Sequence, residues 1–508
     1  MKILLTVILI LGITYGIFSQ PLNGSYTIGG SSPDFTTLQL AADALNANGV
    51  SGPVFFNIRP GTYSKNGGNN SVLLLDSTVA GLSENNRITF QPDAALGGNV
   101  DNVILEMNIT DPGTADRWLV SVILDYITFR DLTFRQADNS LSIFNNALII
   151  IAGTPWFNPS STVIEDCRFE GSDSSITATG IAIDYWLKDI TIRENTFTKL
   201  LHGISAEVLD GNNIVEDNQF LAGWRSSTGA GDPLGAAIRI GGQQLIIRRN
   251  IVDFNESLNG GYTGINVLIQ GNTESVFIEQ NSIVGTVSQA LKIHGNENQT
   301  APIVIANNMI NTSAYPVWAN EGAFGMYVTA GNANIVFNTI AIGGYNYNGL
   351  IVYGNNCSVF NNIITAKSTQ SFCYAYNQGY SSQSLNLQSD HNSIYIQTGI
   401  WNNWLVYNDG ASYYTLSEYQ NATGLDTNST SKDVEFIAPD DLHLTECQSQ
   451  DPELWGVPIP GITIDIDGEI RHETLPTIGA DENKARSNDM FGEPFIDELP
   501  GTAFSIAA

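Results

Sequence analysis

The chain has 508 residues, with 51 Asp and Glu against 21 Lys and Arg and a net charge of −30. A surface this acidic repels nucleic acid and anionic membranes, and it disfavours a polyanionic ligand unless basic side chains cluster locally. The same surface attracts divalent cations, so calcium stands as the candidate cofactor.

Residues 1–19 carry Lys2, an apolar run over 3–11 and a small-residue stretch ending at Ser19. This is the pattern of a secretory leader, cut near Ser19 or Gln20. No Cys directly follows it, which argues against a lipid anchor, and no later run of about 20 apolar residues suggests a membrane span. Residues 20–86 read as an entry cap and first coils. Asp34 is placed to cap a helix over 35–45 whose Leu38, Ala41, Ala42 and Leu45 share one face. Gly52 and Pro53 lead into a buried strand over 54–58, and Pro60 and Gly61 turn out of it. Such a helix covers the open end of a repeat array, which otherwise exposes unpaired strand edges.

From 87 to 400 one phrase keeps returning, in which β-branched or aromatic residues lead to Asn or Asp and then to another apolar pair. The marker residues Asp166, Asn195, Asn218, Asn250, Asn281, Asn308, Asn338 and Asn362 lie 29, 23, 32, 31, 27, 30 and 24 apart. A repeat of this size means a solenoid, propeller or array. Strand formers, Gly or Asn at the corners and no helical period favour an all-β chain folded as a single right-handed parallel β-helix; a propeller blade needs longer units. An inward Asn repeated on every coil can pair with the corner backbone and with the next Asn, forming a ladder. Asn also tolerates the left-handed conformation that tight corners require.

A repeat array grows along one axis without a second core, so one long domain is expected, and the chain is read as a monomer. Insertions at 152–160 and 222–234 should protrude as loops. The four cysteines, Cys167, Cys357, Cys373 and Cys447, are too scattered for a disulfide framework. Buried thiols are the plainer expectation, with a Cys357–Cys373 pair across neighbouring coils as the alternative. Residues 401–482 lose the phrase and read as C-terminal coils and cap, with a short helix over 416–421, an edge strand over 441–444, and 464–469 with 478–482 closing the stack. Residues 483–508 read as tail or linker.

The opening Leu22-Asn23-Gly24-Ser25-Tyr26-Thr27-Ile28-Gly29-Gly30, the cap helix, the Asn-laddered coils, Asp465-Ile466-Asp467-Gly468 and Ile478-Gly479-Ala480-Asp481-Glu482 resemble one family. It is the exported, pectin-lyase-like right-handed β-helix proteins of Bacteroidetes-type bacteria, and the resemblance spans residues 21–482. It implies fold, export and an extracellular polysaccharide or cell-surface glycan as partner. The wider class holds lyases, hydrolases, epimerases, tailspikes and adhesins, so fold alone does not choose a reaction. Members often carry a C-terminal sorting domain; none is recognisable after Glu482, which leaves a longer chain or export to the periplasm as alternatives.

A β-helix binds extended polymers along one flat face, through outward residues that align on successive coils. Aligning the strands that follow a small residue puts Asp184, Glu207, Arg239, Asn266, Lys292, His294, Tyr327 and Tyr353 outward in one column. Asp184 and Glu207 supply the paired carboxylates of a glycosidase. Arg239, Lys292 and His294 supply what a lyase needs to neutralise a uronate and remove its α proton. Asn266, Tyr327 and Tyr353 are the substrate-binding candidates, the tyrosines by stacking on sugar rings. The plainer reading of any one member is a solvated side chain, with Asp184 or Glu207 paired to Arg239. Asp465 and Asp467 are the metal candidates; with Glu469 they alternate along one strand but lack the full loop of a calcium hand, so a closing turn is preferred. Phosphate loops, zinc spacings and nucleophile elbows are absent from the sequence. Three functions follow: carbohydrate binding without assigned catalysis, a polysaccharide lyase or hydrolase, or a structural adhesin.

Overall fold

The structure is a computed structural model. It describes residues 20–482 except 65–70, 76–77, 109–116, 139–145, 155–156, 173–177, 185, 222–234, 256–262, 270–274, 286–287, 297–298, 315–322, 345–346, 368–373, 379–385 and 398–402. The leader, the insertion at 222–234, Cys373 and the tail at 483–508 therefore lie outside the described residues.

Each coil contributes three short strands, and each strand pairs in parallel with its counterpart one coil away, so the chain is a parallel β-helix. The first face holds strands such as Thr263–Ile269, Gln289–His294 and Ala323–Val328. The second holds Thr191–Arg193, Ser275–Glu279 and Ile303–Ala306. The third is a 12-stranded sheet among the described residues, including Ser282–Gly285 and Met309–Ala314. The strands His202–Glu216 and Ala236–Arg248 run through the first and second faces without a break. Inward positions alternate with outward ones and fill one continuous core. A file of phenylalanines runs inside it, with Phe134, Phe169, Phe197 and Phe220 stacked at 5.1, 4.8 and 4.7 Å between ring centroids.

The Asn ladder forms as expected, with its first rung one residue later than the repeat suggested. Asn195, Asn218, Asn250, Asn281, Asn308, Asn338, Asn362 and Asn392 are buried, and the column begins at Cys167 rather than Asp166. Asn250 donates its backbone N–H (3.1 Å) and its Nδ2 (3.0 Å) to Asn281 Oδ1, and Asn281 repeats both bonds to Asn308. Each Nδ2 also donates to a carbonyl one coil back, as Asn281 does to Ile247 at 2.9 Å. At the far end Asn392 donates to Ser429 Oγ and Asp426 Oδ1.

The left-handed corner belongs to the preceding residue, not to the Asn. Asp166, Glu194, Asp217, Arg249, Gln280, Asn307, Phe337, Asn361 and His391 all have φ between +53° and +59°. This conformation costs a side-chain-bearing residue about 1 kcal/mol, and the rungs that follow offset it. From Leu132 to Asn281 the position two residues before the column carries alternating charge on the second face: Arg130, Glu165, Arg193, Glu216, Arg248 and Glu279 follow one another in register. Glu165 is bridged by Arg130 and by Arg193. Arg248 and Arg249 both reach Glu216, at 2.8 and 3.0 Å.

The cap helix α1 spans Leu38–Asn48 and buries Leu38, Ala41, Ala42 and Leu45, the face read from the sequence. Its cap is Thr37, whose side chain accepts from Leu40 N–H; Asp34 instead holds the Thr27 N–H and hydroxyl at 2.7 and 2.8 Å. The second helix, α2 (Leu416–Thr423), starts at a Thr415–Glu418 capping box. Asp441–Leu444 is a strand, paired antiparallel with Phe436–Ala438.

Residues 457–482 do not close the end of the stack. They run back along the corner between the second and third faces and return, held by the left-handed corner residues. Asn361 bonds Val457 in both directions (2.7 and 3.1 Å), Asn307 Nδ2 donates to Ile464 O (2.9 Å), and Gln280 Nε2 donates to Asp465 O (2.6 Å). Arg471, 4% exposed, lies 4.0 Å over the Phe337 ring. No helix among the described residues is long and apolar enough to cross a membrane.

Candidate functional site

The second face carries the ion column and the third is partly covered by the C-terminal segment, which leaves the first face for ligand. Each strand there enters through a small inward residue: Gly180, Gly203, Ala237, Gly264, Ala290, Gly325, Gly349 and Ala375. A Cβ at Gly203 would sit 2.4 Å from the Phe220 ring, and one at Gly264 would sit 2.4 Å from Ala290 O. This close approach is why a small residue marks the strand start in the sequence.

The one outward column expected from the sequence is two columns. Ser205, Arg239, Asn266, Lys292, Tyr327, Ile351, Asn377 and Tyr407 are in register. Asp184, Glu207, Leu268, His294 and Tyr353 stand two residues further along their strands, with Leu268 opposite His294. Alternation puts both columns on the same outward surface, so the aligned residues share a face but not a file. Tyr327 faces Ile351 across the coils, not Tyr353.

Asp184 and Glu207 follow the paired Ile183 and Ala206 on adjacent coils, and both are exposed. Partial desolvation, and after it the Glu207 charge, push the Asp184 carboxyl above the usual carboxylate range. Arg239 lies one coil beyond and is exposed. Beneath it His202 is buried, accepts the Ala236 N–H at Nδ1 (3.1 Å), and is held neutral. Burial, with the Arg239 charge second, lowers its pKa to about 4. Four coil steps of about 4.8 Å separate Asp184 from His294, roughly 19 Å. The carboxylates and the distal cations therefore do not converge on one scissile bond.

Lys292 and His294 lie in an aromatic group. Lys292, 7% exposed, has its Nζ 6.0 Å from the Tyr327 ring centre. His294 Nδ1 is 2.9 Å from Thr329 Oγ1, and its ring meets Tyr327 edge-on at 5.6 Å. Tyr327 stacks on Phe324 at 5.1 Å and meets Tyr353 at 5.7 Å. Asn266 lies between Arg239 and Lys292 in the same file and is half-buried.

The aromatic group continues where the sequence alignment stopped. Tyr374–Asn377 and Trp404–Asn408 extend the first face, and Tyr374 stacks on Trp404 at 5.1 Å. The signal was present: Tyr374-Ala375-Tyr376 keeps the small residue of the strand start, in a stretch where the Asn phrase had weakened.

The metal candidates separate. Asp465 is buried and its carboxylate is taken up by the chain, Oδ1 accepting the N–H groups of Asp467 (3.0 Å) and Glu469 (2.8 Å) and Oδ2 that of Glu482 (2.9 Å). It is a turn clamp, not a ligand. Asp467 instead joins His443 and Asp481, whose ligating atoms lie within 4.8 Å of one another. His443 Nε2 is 3.0 Å from Asp467, and Asp481 accepts the Leu444 N–H at 2.8 Å, so hydrogen bonds account for the group without a cation. Cys357 is a buried thiol whose Sγ lies 3.4 Å from Ala330 O. A cavity of about 560 Å³ lined by Ile342, Val434, Phe436 and Leu442 lies on the third face, away from the outward columns of the first.

No protein-family model matches the chain, and no curated protein matches its sequence. Among solved structures, the complex of XylC with xylose is similar over 90% of this chain and 98% of that one, at 10% identity and a TM-score of 0.47. The A-module of the Azotobacter vinelandii mannuronan C-5 epimerase AlgE6 is similar over 73% and 91%, at 11% identity and 0.34. Pectate lyase Pel9A is similar over 91% and 97%, at 13% and 0.32. These are likenesses of fold, and no residue role passes from them to this chain.

Proposed function

We propose that this is an exported protein, secreted or held at the cell surface or in the periplasm, that binds carbohydrate polymers along the first face. The observation that carries the reading is the cluster of half-buried His294, Tyr327 and Tyr353 rings on the first face, with the buried Phe324 beneath Tyr327 and Lys292 beside it. Aromatic faces receive the apolar side of a sugar ring, while Arg239, Asn266, Lys292 and His294 supply polar partners for its hydroxyl and carboxyl groups. The polymer lies along the coil axis, meeting a new side chain about every 4.8 Å.

The test is titration of the chain with a panel of neutral and uronic polysaccharides, with and without calcium, repeated for Tyr327→Ala. Binding weakened about tenfold supports the reading, the loss of one ring contact being worth about 1.4 kcal/mol. Silence across the panel overturns it and leaves the structural adhesin.

One observation favours a second, catalytic reading. Asp184 and Glu207 are adjacent, and the Asp184 carboxyl is shifted toward holding its proton, as a general acid requires. Release of new reducing ends, lost in Asp184→Asn with binding retained, would establish a hydrolase. An unsaturated uronate product lost in Arg239→Ala would establish a lyase instead.

A further inference from the structure

The C-terminal end of the first face differs in chemistry from its middle. Tyr374 and Trp404, both half-buried, face each other across adjacent coils, as do Asn377 and Tyr407, which at 6% exposure are buried along with Ala375, Tyr376, Leu405 and Val406. Tyr374 and Trp404 stack at 5.1 Å with planes 16° apart, and Tyr407 meets Tyr374 edge-on at 5.3 Å. Tyr414, 56% exposed, extends the group at 6.3 Å from Trp404. Beside the rings, Asn377 Nδ2 donates to Asn348 Oδ1 at 3.1 Å.

No Lys or Arg stands anywhere between Lys367 and Lys432 in the sequence. Glu418, the acid nearest Tyr414 along the chain, is occupied by the backbone N–H groups of Tyr414 and Thr415 at 3.0 and 3.1 Å. Lys292 is four coil steps from Tyr407, about 19 Å away. Lys367, on the strand before Tyr374, is paired with Asp433 at 2.8 Å, so among the described residues a carboxylated or sulfated sugar placed on these rings would give up hydration with no cation to compensate it, a cost that burial makes large. An uncharged ring sets its apolar face on the aromatic surface at no such cost.

We propose that Tyr374, Trp404 and Tyr414, backed by the buried Tyr407, form a carbohydrate subsite selective for uncharged pyranosides, separate from the cationic group around Lys292. The inference rests on the reading that the first face binds carbohydrate and specifies which sugars its C-terminal end accepts.

The experiment compares neutral oligosaccharides (gluco-, xylo- and manno-oligomers) with oligogalacturonate by calorimetry, at low salt and at about 0.5 M salt, where exposed charge pairs are screened. It uses the whole chain, Trp404→Ala and Tyr414→Ala. A neutral oligomer is expected to bind with little salt dependence, about tenfold more weakly in Trp404→Ala and about threefold more weakly in Tyr414→Ala. Because Tyr414 is at the rim, its truncation tests the site even if Trp404→Ala disturbs the last coil. Neutral binding that survives both ring truncations overturns the subsite, as does a chain that binds only oligogalacturonate; both leave carbohydrate binding by the first face standing. Failure of the whole chain to bind either class overturns that broader reading and the subsite with it.

Discussion

Truncating one rung of the ladder, Asn281→Ala, should cost far more than its small change in volume. Asn281 accepts from the Asn250 N–H and Nδ2 and donates to Ile247 O and Asn308 Oδ1, with no solvent at hand. Asn250 Nδ2 keeps its bonds to Val215 O and Arg248 O, and Asn308 Oδ1 keeps the Asn281 N–H. The serious loss is the Asn250 N–H, orphaned at about 1–3 kcal/mol, while Ile247 O keeps its place in the parallel ladder beside Arg248 and Glu279; with the Nδ2 bonds lost at about 1 kcal/mol more, the substitution should cost about 3 kcal/mol. Coils couple mainly to their neighbours, so the damage is local before it is global. Native-state hydrogen exchange should show the Asn250 amide exchanging about a hundredfold faster, and urea unfolding should show the stability loss. A loss below about 1 kcal/mol with the Asn250 amide still protected would refute the claim that the ladder, rather than apolar packing, fixes the corners. The converse substitution is Cys167→Asn. Cys167 already donates its N–H to Asn195 Oδ1 at 2.9 Å, and an amide there adds a rung, with a gain of about 1 kcal/mol readable as a raised Tm.

The remaining predictions concern charge. Glu165→Gln should destabilise by about 3 kcal/mol in a denaturation series, because Arg130 and Arg193 lose their shared carboxylate, whose side chain is only 3% exposed. Burial by itself would raise the Glu165 pKa, but hydrogen bonds from Arg193 and Arg130 outweigh it and hold it below its usual value. Its contribution is therefore present above the unfolded pKa and lost as pH falls through the folded one. His202 also destabilises toward acid: burial lowers its folded pKa to about 4, below the ordinary imidazole value of 6.5. Stability is then complete above pH 6.5 and falls by about 3 kcal/mol on the way down to about 4. A thermal series in His202→Gln should lack that slope. Arg471→Ala removes bonds to Asn307 Oδ1 (2.7 Å), Thr477 O (3.0 Å) and Gly479 O (2.9 Å), with Glu482 at 3.5 Å. Limited proteolysis should then cut within 457–482 while the coils stay intact, after a loss of about 4 kcal/mol.

The fold was legible because a stack repeats its demands. Apolar alternation, small residues at strand starts and a buried Asn on every coil are each imposed anew about every 4.8 Å, so the sequence states them many times over. What stayed hidden was the division of labour within the phrase. Asn was credited with the left-handed corner because its propensity allows it, yet Arg249 and Phe337 occupy that conformation and the Asn does not. Tertiary hydrogen bonding overrode propensity. The change from charged corners at Asp166, Glu194, Asp217 and Arg249 to Gln280, Asn307, Phe337 and Asn361 was visible in the sequence as well. Its cause, a segment 96 to 185 residues later in the chain lying against those corners, was not. The outward residues were placed on the correct face, but a two-residue offset preserves alternation, so pattern alone does not separate neighbouring files.

That difference between repeating and changing positions also separates structure from function on the surface. The second face spends Arg130, Arg193, Arg248 and Arg249 on carboxylates one coil away, which draws on a small stock of basic residues in a chain of net charge −30. A column that alternates acid and base stabilises the stack because every member faces an opposite charge. The file Ser205, Arg239, Asn266, Lys292, Tyr327, Ile351, Asn377 and Tyr407 has no such regularity. Arg239 faces Ser205 and Asn266, and Lys292 faces Asn266 and Tyr327, so neither cation has an acid in its own file. A position that changes chemistry at every coil is not serving the repeat. The first face is thus where the chain can present a sequence of different contacts to a polymer running alongside it, from the acidic pair at Asp184 and Glu207 through Lys292 and His294 to the rings at Trp404.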